Sequence, residues 1–131
     1  MARASESRLV YLDTHIVCWL YEGRGDLISE PAATAIERAR LRVSPIVDME
    51  LQYLCEIGRL AKGPAVILPA LAHELGLEVG IEPFAKVVIE ARKLRWTRDP
   101  FDRLIVAETV LTKAALVTKD RSREHCPAAV W

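Results

Sequence analysis

The sequence has few cysteines, no excess charge and no long apolar run. The three cysteines, Cys18, Cys55 and Cys126, are scattered and form no C-x-x-C pair with histidines nearby. This pattern argues against a disulfide framework and against a zinc site. Eighteen basic and eighteen acidic residues cancel, so the chain lacks the overall positive charge that attracts nucleic acid. We expect any nucleic-acid partner to meet a local positive patch.

Signals for export and membrane insertion are also missing. Residues Met1 to Arg8 are polar and of mixed charge, without the apolar stretch of a signal peptide. The longest apolar runs are far shorter than a membrane span. We expect a cytoplasmic protein without membrane attachment. Residues 1–131 should form one domain, with a disordered N-terminal segment at 1–7.

Short apolar runs alternate with helical patterns along the chain. Predicted strands cover 8–13, 41–43, 77–81, 114–118 and 128–131. Predicted helices cover 16–21, 30–41, 45–57, 64–75, 83–95 and 101–114. Strands that alternate with helices favour a mainly parallel sheet with helices on both faces. The predicted fold is therefore a three-layer α/β/α arrangement.

Two aspartates lie where the last predicted helix begins. Asp99 followed by Pro100 is typical of an N-cap with proline at the first helical position. Asp102 follows in the first turn, on the same face as Ile105 and Val106, so it should point toward the buried side. The simplest interpretation is that both aspartates only stabilise the helix end.

Three other carboxylates interrupt or end apolar segments. Asp13 and Asp120 each follow a predicted buried strand, and Asp13 or Thr14 can cap the helix that comes next. Glu50 falls on the apolar stripe of its helix, a position that is uncommon for a carboxylate without a partner. A buried salt bridge to an arginine is the alternative explanation for Glu50. The predicted stripe consists of Ile46, Val47, Leu54 and Ile57.

Parallel strands bring these carboxylates toward one edge of the sheet. Right-handed crossovers place the carboxyl ends of the strands and the N-termini of the following helices on the same side. Two carboxylates about 4 Å apart repel by about 4 kcal/mol at an effective dielectric constant near 20. A bound cation is the simplest compensation, and oxygen ligands favour Mg²⁺ or Mn²⁺.

These motifs, in this order and spacing, resemble the PIN-domain ribonucleases, and within them the VapC-type toxins of toxin–antitoxin pairs. The resemblance extends from Val10 to Trp131. It implies an α/β/α fold and a Mg²⁺- or Mn²⁺-dependent endoribonuclease. It also implies a metal site of Asp13, Glu50, Asp102 and Asp120, with Asp99 as a further candidate ligand and Thr14 and Thr118 in support. The motifs are Leu12-Asp13-Thr14, Ser44-Pro45 with Glu50, Asp99-Pro100-Phe101-Asp102-Arg103 and Val117-Thr118-Lys119-Asp120.

Partners also follow from the resemblance. Such toxins form homodimers and are silenced by a small VapB-like antitoxin, whose C-terminal segment carries an arginine into the acidic groove. For the RNA substrate we expect phosphate contacts from a basic cluster in which Trp96 offers a stacking surface. Solvated positive charge near a helix C-terminus is the alternative explanation for this cluster. The predicted RNA-binding residues are Arg92, Lys93, Arg95, Trp96, Arg98, Lys119 and Arg121.

Two other classes of protein have to be weighed. A haloacid-dehalogenase-like phosphatase also has an aspartate after its first strand, but it needs a second aspartate two residues later. His15 occupies that position here, which disfavours this class. A non-catalytic RNA-binding or regulatory module on the same fold stays open, and metal-dependent cleavage separates it from the enzyme.

Overall fold

The sheet has five strands, and all of their pairings in the described residues are parallel. The computed structural model describes residues 8–120, 126 and 129–131, so the predicted segment 1–7 and Arg121 lie outside it. The strand order is β3-β2-β1-β4-β5. The strands are β1 (Arg8–Leu12), β2 (Ala39–Val43), β3 (Glu78–Val79), β4 (Ala115–Val117) and β5 (Ala129–Val130).

Helices cover the sheet and pack on one another. They are α1 (Thr14–Tyr21), α2 (Glu30–Arg38), α3 (Pro45–Glu56), α4 (Pro64–Leu75), α5 (Phe84–Ala91) and α6 (Pro100–Leu111). Helix α2 contacts β1, β2, β4 and β5, whereas α6 contacts β4, α3 and α5. The predicted three-layer α/β/α fold is confirmed. In the described part of the chain, no helix has the length and apolar character needed to cross a membrane.

Caps and prolines begin α2, α3 and α6 where the sequence predicts them, whereas α1 begins at Thr14, two residues before the predicted start. Ser29 Oγ accepts from Ala32 N at 3.3 Å, Ser44 Oγ from Ile46 N at 3.1 Å, and Asp99 Oδ1 from Phe101 N at 2.9 Å. Each cap is followed by a proline in the first turn, where its missing N–H leaves no helical hydrogen bond unmade.

Three predicted helices end earlier in the structure. Helix α2 stops at Arg38 instead of Leu41, because the chain from Ala39 onward already pairs with β1. Helix α5 stops at Ala91 instead of Arg95, and a turn bond from Leu94 N to Ala91 O closes it. Strand β3 is also shorter than predicted, with two residues.

The end of α6 has a specific backbone cause. The predicted helix runs to Ala114, but Lys113 adopts a left-handed φ of 56°. Lys113 N then donates to Val110 O, and Ala114 N donates to Thr109 O. This is the pattern that closes a helix through a left-handed residue, and it lets β4 begin at Ala115.

The buried face of α3 differs from the predicted stripe at one end. Val47 and Leu51 are fully buried, whereas Ile57 is 47% exposed. Ile57 is the C-cap of α3, beyond the last helical turn, so its side chain leaves the buried face. Leu51, which the predicted stripe omitted, completes the contact with the core.

A buried polar contact lies where β1, β3 and α6 meet. Tyr11 is fully buried and Glu108 is 3% exposed. Burial is the main cause of the raised pKa of Tyr11, and the nearby Glu108 carboxyl group raises it further. Gly80 follows β3 and donates its N–H to Val43 O at 2.8 Å. A methyl group on Gly80 would overlap Glu108 Oε2 and approach Tyr11 Oη to 3.0 Å.

Gly80→Ala should therefore lower the free energy of unfolding, by roughly 1–3 kcal/mol for an overpacked site. Gly25→Ala is the matched control, because a methyl group there meets nothing within 4 Å. Chemical denaturation of both variants measures the difference. Equal stability of the two variants would contradict the close approach at Gly80.

Candidate active site

Asp13 is a buried carboxylate at the junction of β1, α1 and β4. It is 2% exposed. Its Oδ1 accepts from Thr14 N at 2.7 Å, and its Oδ2 accepts from Thr118 Oγ1 at 2.5 Å. Asp13, and not Thr14, is thus the N-cap of α1. Both carboxylate oxygens are held by donors, which fixes the side chain at the carboxyl end of β1.

The same hydrogen bonds extend to two further acidic residues. Thr14 Oγ1 donates to Glu50 Oε1 at 2.8 Å, and Asp120 N donates to Thr118 Oγ1 at 3.1 Å. One continuous line of hydrogen bonds therefore runs from α3 through the start of α1 and the end of β1 to the residues after β4. The predicted supporting threonines, Thr14 and Thr118, lie on either side of Asp13 in this line.

Asp102 faces the interior, as its helical position predicts. It is 7% exposed. Burial raises its pKa to about 7, and the negative charges of neighbouring carboxylates add to the shift. Those neighbours are Asp99, Asp120 and Glu50. The structure thus brings acidic residues from α3, the start of α6 and the end of β4 to one region.

Glu50 shows the same electrostatic effect more weakly. Burial raises its pKa, the hydrogen bond from Thr14 lowers it, and the charges of Asp99 and Asp120 raise it again. Repulsion among buried carboxylates is a common property of sites that bind cations or transfer protons.

The sheet topology explains the location. The chain after β1 proceeds to β2 and β3 on one side, whereas β4 and β5 lie on the other side of β1. Ligands of open parallel sheets bind at such a change of direction, beyond the carboxyl ends of the strands. Asp13 and Thr118 flank this point on β1 and β4.

Carboxylate oxygens dominate the potential metal donors. Among the residues that the structure describes, no group of three or more His, Cys, Asp or Glu side chains is arranged to hold one metal ion. Asp99 is exposed and caps α6, a role that accounts for its position without a metal. The four-carboxylate metal site stays a prediction.

The predicted RNA-binding residues lie in two different environments. Arg92, Lys93, Arg95 and Arg98 are exposed in the segment between α5 and α6, whereas Trp96 is partly buried against the core. Lys93 Nζ lies 3.1 Å from Glu90 Oε2. Lys119 lies instead beside the acidic residues, with Nζ 5.8 Å from the ring centroids of both Trp19 and Trp131.

Sequence reasoning missed an aromatic wall beside the carboxylates. A pocket of about 270 Å³ is lined by Asp13, His15, Trp19, Lys119 and Asp120. The spacing of His15 and Trp19, one helical turn apart on α1, is a local signal for this wall. Trp131 carries no such signal, because only the sheet brings it next to Trp19. The larger cleft, of about 430 Å³, is mostly apolar and lies along α4 and β3.

Comparison with known proteins gives a consistent family. The sequence-family model of the PIN domain matches residues 10–126 of this chain. Ribonuclease VapC22 from Mycobacterium tuberculosis is 35% identical over 129 residues, which cover 93% of this chain and 98% of that protein.

Solved structures share the fold at lower sequence identity. VapBC2 from Rickettsia felis, bound to a DNA fragment from its promoter, has a TM-score of 0.68 at 20% identity, covering 92% of this chain and 95% of that one. A toxin–antitoxin complex from Klebsiella pneumoniae has a TM-score of 0.66 at 19% identity, covering 93% and 96%.

Asp102→Asn should stabilise the metal-free protein above about pH 4. In the folded protein the pKa of Asp102 is raised from 3.8 to about 7. The charged form therefore lowers the free energy of unfolding; this loss is absent below pH 3.8, grows as the pH rises and is complete above pH 7. One pKa unit corresponds to about 1.4 kcal/mol, so the gain in the free energy of unfolding at pH 8 is of the order of a few kcal/mol. Urea denaturation in EDTA between pH 4 and pH 8 measures it.

Asp48→Asn is the matched control, because Asp48 also lies in the first turn of a helix that begins with proline but is exposed. It should leave the free energy of unfolding within about 0.5 kcal/mol of wild type. A large loss of stability in Asp102→Asn would show that this carboxylate serves the helix end.

Proposed function

Because the chain belongs to the PIN-domain family and is of the VapC type, we propose that it is a divalent-metal-dependent endoribonuclease, the toxin of a toxin–antitoxin pair. The observation that carries this proposal is the line of hydrogen bonds through Asp13 at the change of direction of a parallel sheet. Asp102 belongs to the same region, because the charges of Asp120 and Glu50 from this line help to raise its pKa.

The donor set fits Mg²⁺ or Mn²⁺. These are hard cations that prefer oxygen ligands, and Mg²⁺ is usually held by one or two carboxylates together with water and substrate phosphate. A site in which the protein supplies fewer than three preformed ligands is compatible with this coordination of Mg²⁺. Asp13, Glu50, Asp102 and Asp120 would hold the ion, and Asp99, which caps α6, stays a further candidate.

Each group in the site has a distinct task in hydrolysis. The ion, when bound, would neutralise charge on the phosphate and lower the pKa of the attacking water. Asp13 is kept in one orientation by its two donors, and Thr14 does the same for Glu50. Lys119 and the exposed arginines before α6 would position the phosphate backbone through charge-assisted contacts.

The partners we propose are RNA, a VapB-like antitoxin and a second copy of the chain. The Klebsiella pneumoniae structure that shares the fold is a toxin–antitoxin complex. An antitoxin segment with an arginine would complement the acidic site. Exposed apolar residues recur every four residues along α3, at Met49 and Tyr53, and at its C-cap Ile57. Exposed apolar stripes are typical of protein interfaces.

A non-catalytic RNA-binding or regulatory module is the second candidate function. One observation favours it: the exposed arginines between α5 and α6 suit RNA phosphates whether or not the RNA is cut. Such a module would bind RNA without cutting it, whichever metal is supplied.

Glu50→Gln should abolish RNA cleavage, because it removes a charge from the metal site while it keeps the shape of the side chain. We expect a rate at least a hundredfold below wild type on a panel of tRNA and mRNA fragments with Mg²⁺ or Mn²⁺. Asp13→Asn and wild type with EDTA should behave alike. Gel analysis of the products measures the rates.

Glu56→Gln is the matched control on the same helix, where Glu56 is exposed and accepts a hydrogen bond from Gln52 at 2.8 Å. It should cleave like wild type. Cleavage that survives EDTA would refute metal dependence, and RNA binding without cleavage by antitoxin-free, metal-bound protein would favour the non-catalytic module.

Mg²⁺ or Mn²⁺ should raise the melting temperature of the wild type. Binding to the folded state alone contributes about 2.7 kcal/mol when the free ion is a hundredfold above its dissociation constant. Glu56→Gln should keep this shift, and Glu50→Gln should reduce it. An unchanged melting curve at millimolar concentrations of either ion would contradict the metal site.

A further inference from the structure

Three aromatic rings and one lysine form a partly exposed cluster at the edge of the acidic site. His15 and Trp19 have ring centroids 6.3 Å apart, and Trp19 and Trp131 have centroids 6.2 Å apart, with an interplanar angle of 51° in both pairs. Lys119 Nζ lies 5.8 Å from both indole centroids. His15 and Lys119 are exposed, and Trp131 is 38% exposed.

This aromatic cluster shares a pocket with the predicted metal ligands. The pocket of about 270 Å³ has His15 and Trp19 on its aromatic side and Asp13 and Asp120 on its acidic side, with Lys119 also in its lining. Its volume is slightly below the range of about 300–1,000 Å³ for drug-sized ligands, which suits a small planar group. A base attached to a phosphate at the carboxylates would share this pocket with the rings of His15 and Trp19.

The chemistry of the cluster matches that of an unpaired nucleobase. Bases stack on aromatic side chains whatever their sequence, because every base has a π-face. A lysine that lies over aromatic rings is held there by cation–π attraction, and its ammonium group can also meet a phosphate. In a duplex the bases are already stacked on one another, so recognition of this kind selects single-stranded loops and ends.

We propose that His15, Trp19 and Trp131 form a stacking subsite for one unpaired nucleobase, beside the phosphate that is cut, and that Lys119 holds the adjacent phosphate. This subsite deepens the proposed ribonuclease function and rests on it for the position of the phosphate. The subsite is distinct from Trp96, which lies in the basic segment between α5 and α6 and stays a predicted stacking surface.

A nucleoside monophosphate tests the subsite without any cleavage, because it has no internucleotide bond. The three tryptophans give separate indole N–H signals in a ¹⁵N spectrum, assigned by single Trp→Phe variants. With Mg²⁺ present, uridine monophosphate should shift the Trp19 and Trp131 signals and leave the Trp96 signal in place. Ribose 5-phosphate, which lacks the base, should shift them far less.

Other outcomes would overturn the proposal. Equal shifts with ribose 5-phosphate would show a phosphate contact only, and a shift confined to Trp96 would move stacking to the basic segment. No shift at all would leave the cluster as surface packing. Cleavage of RNA is measured separately, so the two proposals can fail independently. Cleavage without these shifts would support the ribonuclease function and refute the subsite, and shifts without cleavage would support the subsite and refute the ribonuclease function.

Substitutions locate the effect on single-stranded RNA. His15→Ala and Trp19→Ala should each weaken binding of a single-stranded oligoribonucleotide, Trp19→Ala by roughly tenfold or more. Trp19→Phe keeps a ring and should restore most of the affinity. Since Trp19 also packs partly against the core, the exposed His15 gives a variant that leaves folding intact. Binding of duplex RNA should change little in each case, and equal losses for duplex and single strand would refute base stacking.

Discussion

The carboxylate of Asp13 is the group on which the site depends. Its two oxygens accept from the start of α1 and from the end of β4, while its own backbone N–H donates to Val117 O. One residue therefore ends a strand, begins a helix and joins the two strands between which the chain changes direction. A buried carboxylate without such donors would be strongly unfavourable, so the strand ends and the threonines must be in place together.

The neighbouring carboxylates of the proposed site lower the stability of the fold. Burial and mutual repulsion raise the pKa values of Asp102 and Glu50, so the charged forms destabilise the metal-free fold. The helices that carry them are anchored by apolar residues on the same faces, Val47 and Leu51 on α3 and Ile105 and Val106 on α6. Packing of those faces offsets the repulsion, a balance typical of active sites.

Local signals in the sequence predict much of this fold, and contacts between distant segments explain the rest. Caps with prolines fix helix starts such as Ser44-Pro45, because the pattern acts within a few residues. Helix ends were less predictable: the left-handed Lys113 has no strong local signature, and β2 gains its first residues from pairing with β1. The burial of Asp102 followed from helical spacing, whereas the packing of Trp131 on Trp19 depends on how the sheet brings its edge strand to α1.

The balance of charges decides how RNA can be held. The chain has no net charge, and the acidic residues repel a phosphate backbone at the very place where cleavage is proposed. Long-range attraction is therefore weak, and affinity must come from short-range terms: the bound cation, the ammonium group of Lys119 and stacking. Stacking is less sensitive to salt than phosphate contacts are. In the proposed ribonuclease, an aromatic wall beside the carboxylates would supply affinity without neutralising the charges that would hold the metal, whereas a cluster of lysines at the same position would neutralise them.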